Sequence, residues 1–161
     1  MDKIRIAGIE EESIVDGPGI RLVVFTQGCK HNCAGCHNIS THSFTGGELM
    51  EIDDIVKIVK ENPLLDGITL SGGDPFEQAH ECSLLAKSIK KLGLDVVTYT
   101  GYTFEEILRN KKFRELLLQT DILIDGKFDI SQKSMMLQFR GSTNQRIIDV
   151  KKYLGEIKSD F

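Results

Sequence analysis

The sequence predicts an α/β fold, and three observations lead there. Short apolar runs that suit buried strands alternate with longer stretches of helical period. Each apolar run is followed by a polar or glycine-bearing segment. The chain has 161 residues, 40% of them apolar, enough to build one ordinary core without staples. Strand and helix in alternation imply parallel pairing through right-handed crossovers. In such folds the segments after the strands gather at the carboxyl end of the sheet, where ligands bind. No repeat, low-complexity tract or linker divides the chain, so one domain over residues 1–161 is expected.

The elements follow in order. "RLVVFTQ" (21–27) is the first clear strand, and "GCKHNCAGCHN" follows it. "EIDDIVKIVKEN" sets Ile52, Ile55, Val56 and Val59 on one face before Pro63, the pattern of an amphipathic helix. "GITLS" (67–71) is a strand followed by "SGGDP". "EQAHECSLLAKSIKKLG" repeats the helical pattern with Cys82, Leu85, Ala86 and Ile89, and Gly93 stops it. "DVVTYT" (95–100) leads into "TGYT"; "FEEILRN" and "KFRELLLQ" form a third helical region; "DILID" (121–125) leads into "DGKF". A weaker run, "SMMLQ", precedes "FRGSTNQR", and "KKYLGEIKSDF" fits either a short helix or a tail. Five loops thus converge on one end of the sheet. Turn chemistry explains any single one of them, but not a cysteine cluster among them.

Charge and composition narrow the classes. A net charge of −4 with Lys and Glu interspersed gives no basic field for nucleic acid. The longest unbroken apolar run is Leu22 to Phe25, and "MDKIRIAGIEEE" has no secretory character, so a cytoplasmic protein without a membrane span is expected. Of the four cysteines, Cys29, Cys33 and Cys36 lie within eight positions while Cys82 stands alone, which argues for metal or redox chemistry over a disulfide framework. Three crowded thiolates repel one another unless a cation neutralises them. Spacing alone leaves an iron-sulfur cluster and a structural zinc open, the latter with His31, His37 or His42 as a fourth ligand.

The spacing CxxxCxxC after a strand, ending in Cys36-His37-Asn38, resembles the signature of the radical S-adenosylmethionine superfamily. The resemblance implies a partial, open (β/α) barrel with mostly parallel strands, of about four or five βα units rather than eight. It implies that Cys29, Cys33 and Cys36 each hold one iron of a [4Fe-4S] cluster and are the catalytic set. The fourth iron is left to the amino nitrogen and carboxylate of S-adenosylmethionine. By the same resemblance Gly35, Cys36 and His37 border that cofactor, and Gly72, Gly73 and Asp74 of "SGGDP" meet its methionyl amine. Turn chemistry offers a plainer account of "SGGDP", with Asp74 capping a helix that Pro75 opens.

"IVDGPGIR" (14–21) looks like the segment that glycyl-radical-enzyme activases carry before the cluster strand. There Asp16, Gly17, Pro18, Gly19 and Arg21 would line the mouth for a peptide; a Pro-Gly turn is the alternative. "DILIDGKF" and "FRGSTNQR" resemble the anaerobic ribonucleotide reductase-activating subfamily, so that the likeness runs from about Ile6 to Ile148. Its implied partner is the anaerobic ribonucleoside-triphosphate reductase, whose glycine loop loses a hydrogen atom, with an electron donor such as flavodoxin. Asp125 and Lys127 resemble an Asp-x-Lys pair that contacts the cofactor or a monovalent cation. Arg140, Asn144 and Arg146 would bind cofactor or partner, or cap a helix, and Tyr99 departs from a tryptophan found in many relatives. The alternatives are an activase of a formate-lyase type enzyme, a radical enzyme acting on a purine-like ring, and a non-catalytic iron-sulfur or zinc protein.

Overall fold

A computed structural model describes residues 2–29, 31, 46–127, 129–132, 139–140 and 142–158. Seven strands form one mixed sheet in the order β3-β1-β2-β4-β5-β6-β7. They are β1 (Lys3–Ser13), β2 (Arg21–Thr26), β3 (Glu48–Glu51), β4 (Gly67–Gly72), β5 (Asp95–Tyr99), β6 (Ile122–Asp125) and β7 (Arg146–Asp149). The four strands expected from apolar runs, β2, β4, β5 and β6, are the parallel centre. β1, β3 and β7 extend it by antiparallel pairing and were not expected.

The helices are α1 (Ile52–Lys60), α2 (Ala79–Lys91), α3 (Phe104–Leu108), α4 (Lys111–Leu117) and α5 (Val150–Lys158). In α1, Ile52, Ile55 and Val59 are buried, and the helix carries Asp53 and Asp54 in its first turn and Lys57 and Lys60 in its last, as the helix dipole favours. α2 buries Cys82, Leu85, Ala86 and Ile89, the face read from the sequence. It starts two residues later than expected, because Pro75–Gln78 form a separate 3-10 turn. Of the carboxyl-terminal segment, Val150–Lys158 are helical. "SMMLQ" lies outside the described residues. Among those residues no helix is long and apolar enough to cross a membrane.

Alternation along the strands divides the interior. Leu22, Val24, Ile68, Leu70, Val96 and Leu123 join Ile55, Leu85, Ile89, Phe104 and Leu116 in one apolar cluster. Val23, Thr69, Val97 and Ile124, the residues between them, are buried outside that cluster, as period-two alternation places them on the opposite face. The segment 14–20 lies there: the Thr69 hydroxyl donates to the Asp16 carbonyl at 2.6 Å, and a Cβ on Gly17 would stand 3.2 Å from Val97.

Arg21 anchors this segment. Its guanidinium is wholly buried and donates to the Thr69 hydroxyl (2.8 Å) and to the carbonyls of Pro18 (2.9 Å) and Ile68 (2.7 Å), and it pairs with Asp95. A buried guanidinium is tolerable only when its donors are matched in this way. Arg21 pairs in register with Gly67 at the amino ends of the parallel strands, whereas Cys29 follows the carboxyl end of β2. The placement makes Arg21 a structural clamp at the end of the sheet away from the cysteine loop.

Candidate functional site

At the carboxyl end of the sheet, the loop after β2 lies against the loop after β4. Gly73 N–H donates to the Thr26 carbonyl and Asp74 N–H to the Gly28 carbonyl, both at 2.8 Å. Gly72 makes this approach possible. Its φ is +96°, and a Cβ there would lie 2.4 Å from the Thr26 nitrogen and 2.5 Å from the Thr26 oxygen. Two main chains therefore run side by side just before Cys29.

Asp74 is wholly buried at the centre of this arrangement. Its carboxylate accepts from Phe76 N–H (3.0 Å), the Thr100 hydroxyl (2.9 and 3.0 Å), Gly101 N–H (2.9 Å) and His31 Nε2 (2.7 Å). It caps the 3-10 turn that Pro75 opens. A carboxylate has about four lone-pair sites, and protein donors fill them here. The side chain acts as a knot joining the loops after β2, β4 and β5.

Cys29 is half-buried beside this knot. Tyr102 stands near it: burial, a hydrogen bond to Glu77 and the charges of Glu77, Asp74 and Cys29 together push the Tyr102 hydroxyl above its ordinary range. Cys33, Cys36, Gly35 and His37 lie outside the described residues. The fourth cysteine differs in kind. Cys82 is sealed in the core against α2's neighbours, and desolvation pushes its thiol well above the usual thiol range. A neutral thiol buried among aliphatic side chains is a poor metal ligand, which sets Cys82 apart from the half-buried Cys29. His31, read from the sequence only as an optional zinc ligand, is the residue whose importance the sequence conceals. Its contact with Asp74 spans 43 positions, and no local pattern announces it.

Asp125 ends β6 at the same end of the sheet, and Lys127 follows two residues later. Asp125 is buried and accepts from Phe104 N–H at 2.8 Å and from Arg146 Nε at 3.0 Å, with a second, shorter bond from Arg146 Nη2. The guanidinium also forks onto Glu105, at 3.1 and 2.7 Å. Asn144 Nδ2 donates to the Lys127 carbonyl at 2.8 Å, which ties "TNQR" to "DGKF". These residues and Gly101 border an open cleft of about 470 Å³, into whose rim the exposed Lys127 falls. Arg140 donates to the Gln145 carbonyl at 3.1 Å. The two loops read separately from the sequence are thus one unit, with Arg146 as the cation on Asp125. Tyr99 ends β5, and burial followed by the charge of Asp16 pushes its hydroxyl upward.

The Arg146 fork has a measurable consequence. Hydrogen bonding to Arg146 holds the Glu105 carboxyl below its ordinary value of 4.5. Its contribution to stability is therefore complete above that value and disappears as the pH falls through the lowered one. Because both partners are partly exposed, that contribution is worth less than about 1 kcal/mol. Arg146→Leu should bring the Glu105 titration, followed by carbon-detected NMR, up towards 4.5. It should also cost about 1–3 kcal/mol in urea denaturation, because among the described residues the buried Asp125 side chain then keeps Phe104 N–H alone.

Comparison with known proteins places the chain among relatives. A family model described as "4Fe-4S single cluster domain" matches residues 15–148. The anaerobic ribonucleoside-triphosphate reductase-activating protein of Enterobacteria phage T4 is 37% identical over 139 residues, covering 83% of this chain and 86% of its own. The protein of the same name from Haemophilus influenzae is 38% identical over 144 residues (83% and 90%), and that of Escherichia coli K12 35% over 142 (82% and 90%).

Proposed function

The chain belongs to the 4Fe-4S single cluster domain family and, within it, to the anaerobic ribonucleoside-triphosphate reductase-activating proteins, and from that premise we propose that it is a radical S-adenosylmethionine enzyme that installs a glycyl radical on the reductase. Cys29, Cys33 and Cys36 would hold the [4Fe-4S] cluster. When bound, that cluster would supply a low-potential electron and an open iron for S-adenosylmethionine, and with it the radical chemistry that removes a hydrogen atom from a glycine α-carbon of the reductase.

The chain's own residues orient and shield. Gly72 and Gly73 offer backbone without side chains beside the cysteine loop, which suits close approach by a methionyl ammonium. In this reading Gly35 borders the cofactor and His37 its adenine, and Asp125, locked by Arg146, shapes the cleft at which Lys127 is available to an anionic group. The strand order 2-4-5-6 runs without reversal, so right-handed crossovers set α1, α2 and the α3–α4 pair on one face. That winding supports an open (β/α) barrel whose free edge admits a glycine loop, built from one domain in the cytoplasm and served by a flavodoxin-type reductant.

The observation that carries the reading is the donor set: three cysteines on the loop after β2, Cys29 at the carboxyl end of the sheet beside Gly72–Asp74, and the fourth cysteine sealed in the core. The test mixes the anaerobically reduced protein, S-adenosylmethionine and an anaerobic ribonucleotide reductase. A glycyl radical doublet on the reductase, with methionine released, is expected; cluster-loaded protein that yields no radical on any such reductase contradicts it.

A further inference from the structure

His31 sits between two of the proposed cluster ligands, two positions from Cys29 and two from Cys33, and it is held on three sides. Nε2 meets the Asp74 carboxylate at 2.7 Å, with His31 6% exposed and Asp74 0%. The ring stands edge-on to Tyr102, the centroids 4.4 Å apart at 74°. Beneath it Gly101 leaves no room for a side chain, since a Cβ there would lie 2.4 Å from His31 Cδ2. Tyr102 is in turn fixed by its bond to Glu77.

A buried histidine paired with a carboxylate costs more desolvation than an aliphatic side chain of similar size would. What the polar pair adds is direction. A leucine packs in several ways, whereas a ring nitrogen bonded to a carboxylate that Phe76, Thr100 and Gly101 already hold has one position. The contact continues a ladder along which the loop after β2 is joined to the loop after β4: Thr26 to Gly73, Gly28 to Asp74, then His31 to Asp74.

We propose that His31 is a positioning residue: bonded to Asp74, it fixes the register between the cysteine loop and the Gly72–Gly73 backbone, so that a cofactor touching both meets them at one spacing. The inference rests on the cluster reading above. It assigns His31 no contact with metal or cofactor, only control of where the two loops stand. Outer-shell partners of this kind are worth about 10–100-fold in affinity or activity.

Three full-length variants, reconstituted anaerobically, test it. His31→Phe keeps the ring against Tyr102 and loses the bond; His31→Gln keeps a donor for Asp74; Gly101→Ala keeps both partners but displaces the ring. Iron content, the electron resonance spectrum of the reduced cluster and its change on adding S-adenosylmethionine, and S-adenosylmethionine affinity are read for each. His31→Phe and Gly101→Ala should retain wild-type iron yet bind S-adenosylmethionine about 10-fold more weakly with an altered spectrum, and His31→Gln should recover most of both. Wild-type affinity and spectra in His31→Phe and Gly101→Ala would overturn the inference and leave a packing role. Loss of iron in both His31 variants would overturn it differently, by making His31 a ligand. A wild-type chain that takes up no cluster would instead sink the functional reading on which this one stands.

Discussion

Replacing any one of Cys29, Cys33 and Cys36 with alanine should strip the chain of its cluster and abolish reductase activation, while Cys82→Ala should retain both. The asymmetry follows from environment. Each loop thiolate would supply one of three protein bonds to the cubane, and losing one leaves two irons open, too few anchors to hold it. Cys82 shares residue type with them but sits at 0% exposure among Leu85, Ala86 and Ile89, with its thiol pushed upward by desolvation. Its loss is a small core truncation of about 1–2 kcal/mol. Iron and sulfide assays after anaerobic reconstitution check the first half, and urea denaturation the second. Iron-free Cys82→Ala protein would show that the ligand set is miscounted.

Gly72→Val should be among the most damaging single substitutions outside the cysteines. At φ +96° a β-branched residue is a conformational outlier, which costs about 1–3 kcal/mol before any contact is considered. The Cβ would then lie 2.4 Å from the backbone of Thr26, which cannot swing aside as a side chain would, so β2 and β4 must part at the point where they launch the two site loops. A total loss above about 4 kcal/mol takes up much of a typical domain's stability. Gly93 supplies the control. It shares the positive φ, at +80°, but has nothing within 4 Å, so Gly93→Ala should cost only the backbone term of about 1–2 kcal/mol. Equal urea midpoints for Gly72→Ala and Gly93→Ala would mean that the close approach of the two strands is not as described.

The parallel centre of the sheet was legible because strands buried on both faces are continuous apolar runs: "RLVVFT", "GITL" and "DVVTY" stand out against any background. The antiparallel additions were not. β3 reads Glu-Leu-Met-Glu and β7 Arg-Ile-Ile-Asp, each four residues long and too polar to signal a strand, and they exist because a paired neighbour satisfies their backbone. β1 alternates at Ile4 and Ile6, then is bent by register shifts and carries Glu10–Glu12 before its last residue, Ser13, which masks the pattern.

At the site the split is similar. Loops after strands were expected to converge, and those carrying Cys29, Asp74, Gly101 and Asp125 do lie at the carboxyl end of the parallel strands. Which side chains partner which was hidden, because Arg21 with Asp95, His31 with Asp74 and Arg146 with Asp125 join residues 21 to 74 positions apart. Residue type misleads as well. Arginine and aspartate are mostly exposed, yet Arg21 and Asp74 are among the most buried groups in the chain.

The central claim is a cluster held by three cysteines with one iron left open. Mössbauer spectroscopy of iron-labelled, anaerobically reconstituted protein, before and after S-adenosylmethionine, tests it most directly. About four iron per chain, with one iron site shifting on its own when S-adenosylmethionine is added, is the predicted result. Zinc in place of iron, or four iron sites that S-adenosylmethionine leaves unmoved, would contradict it.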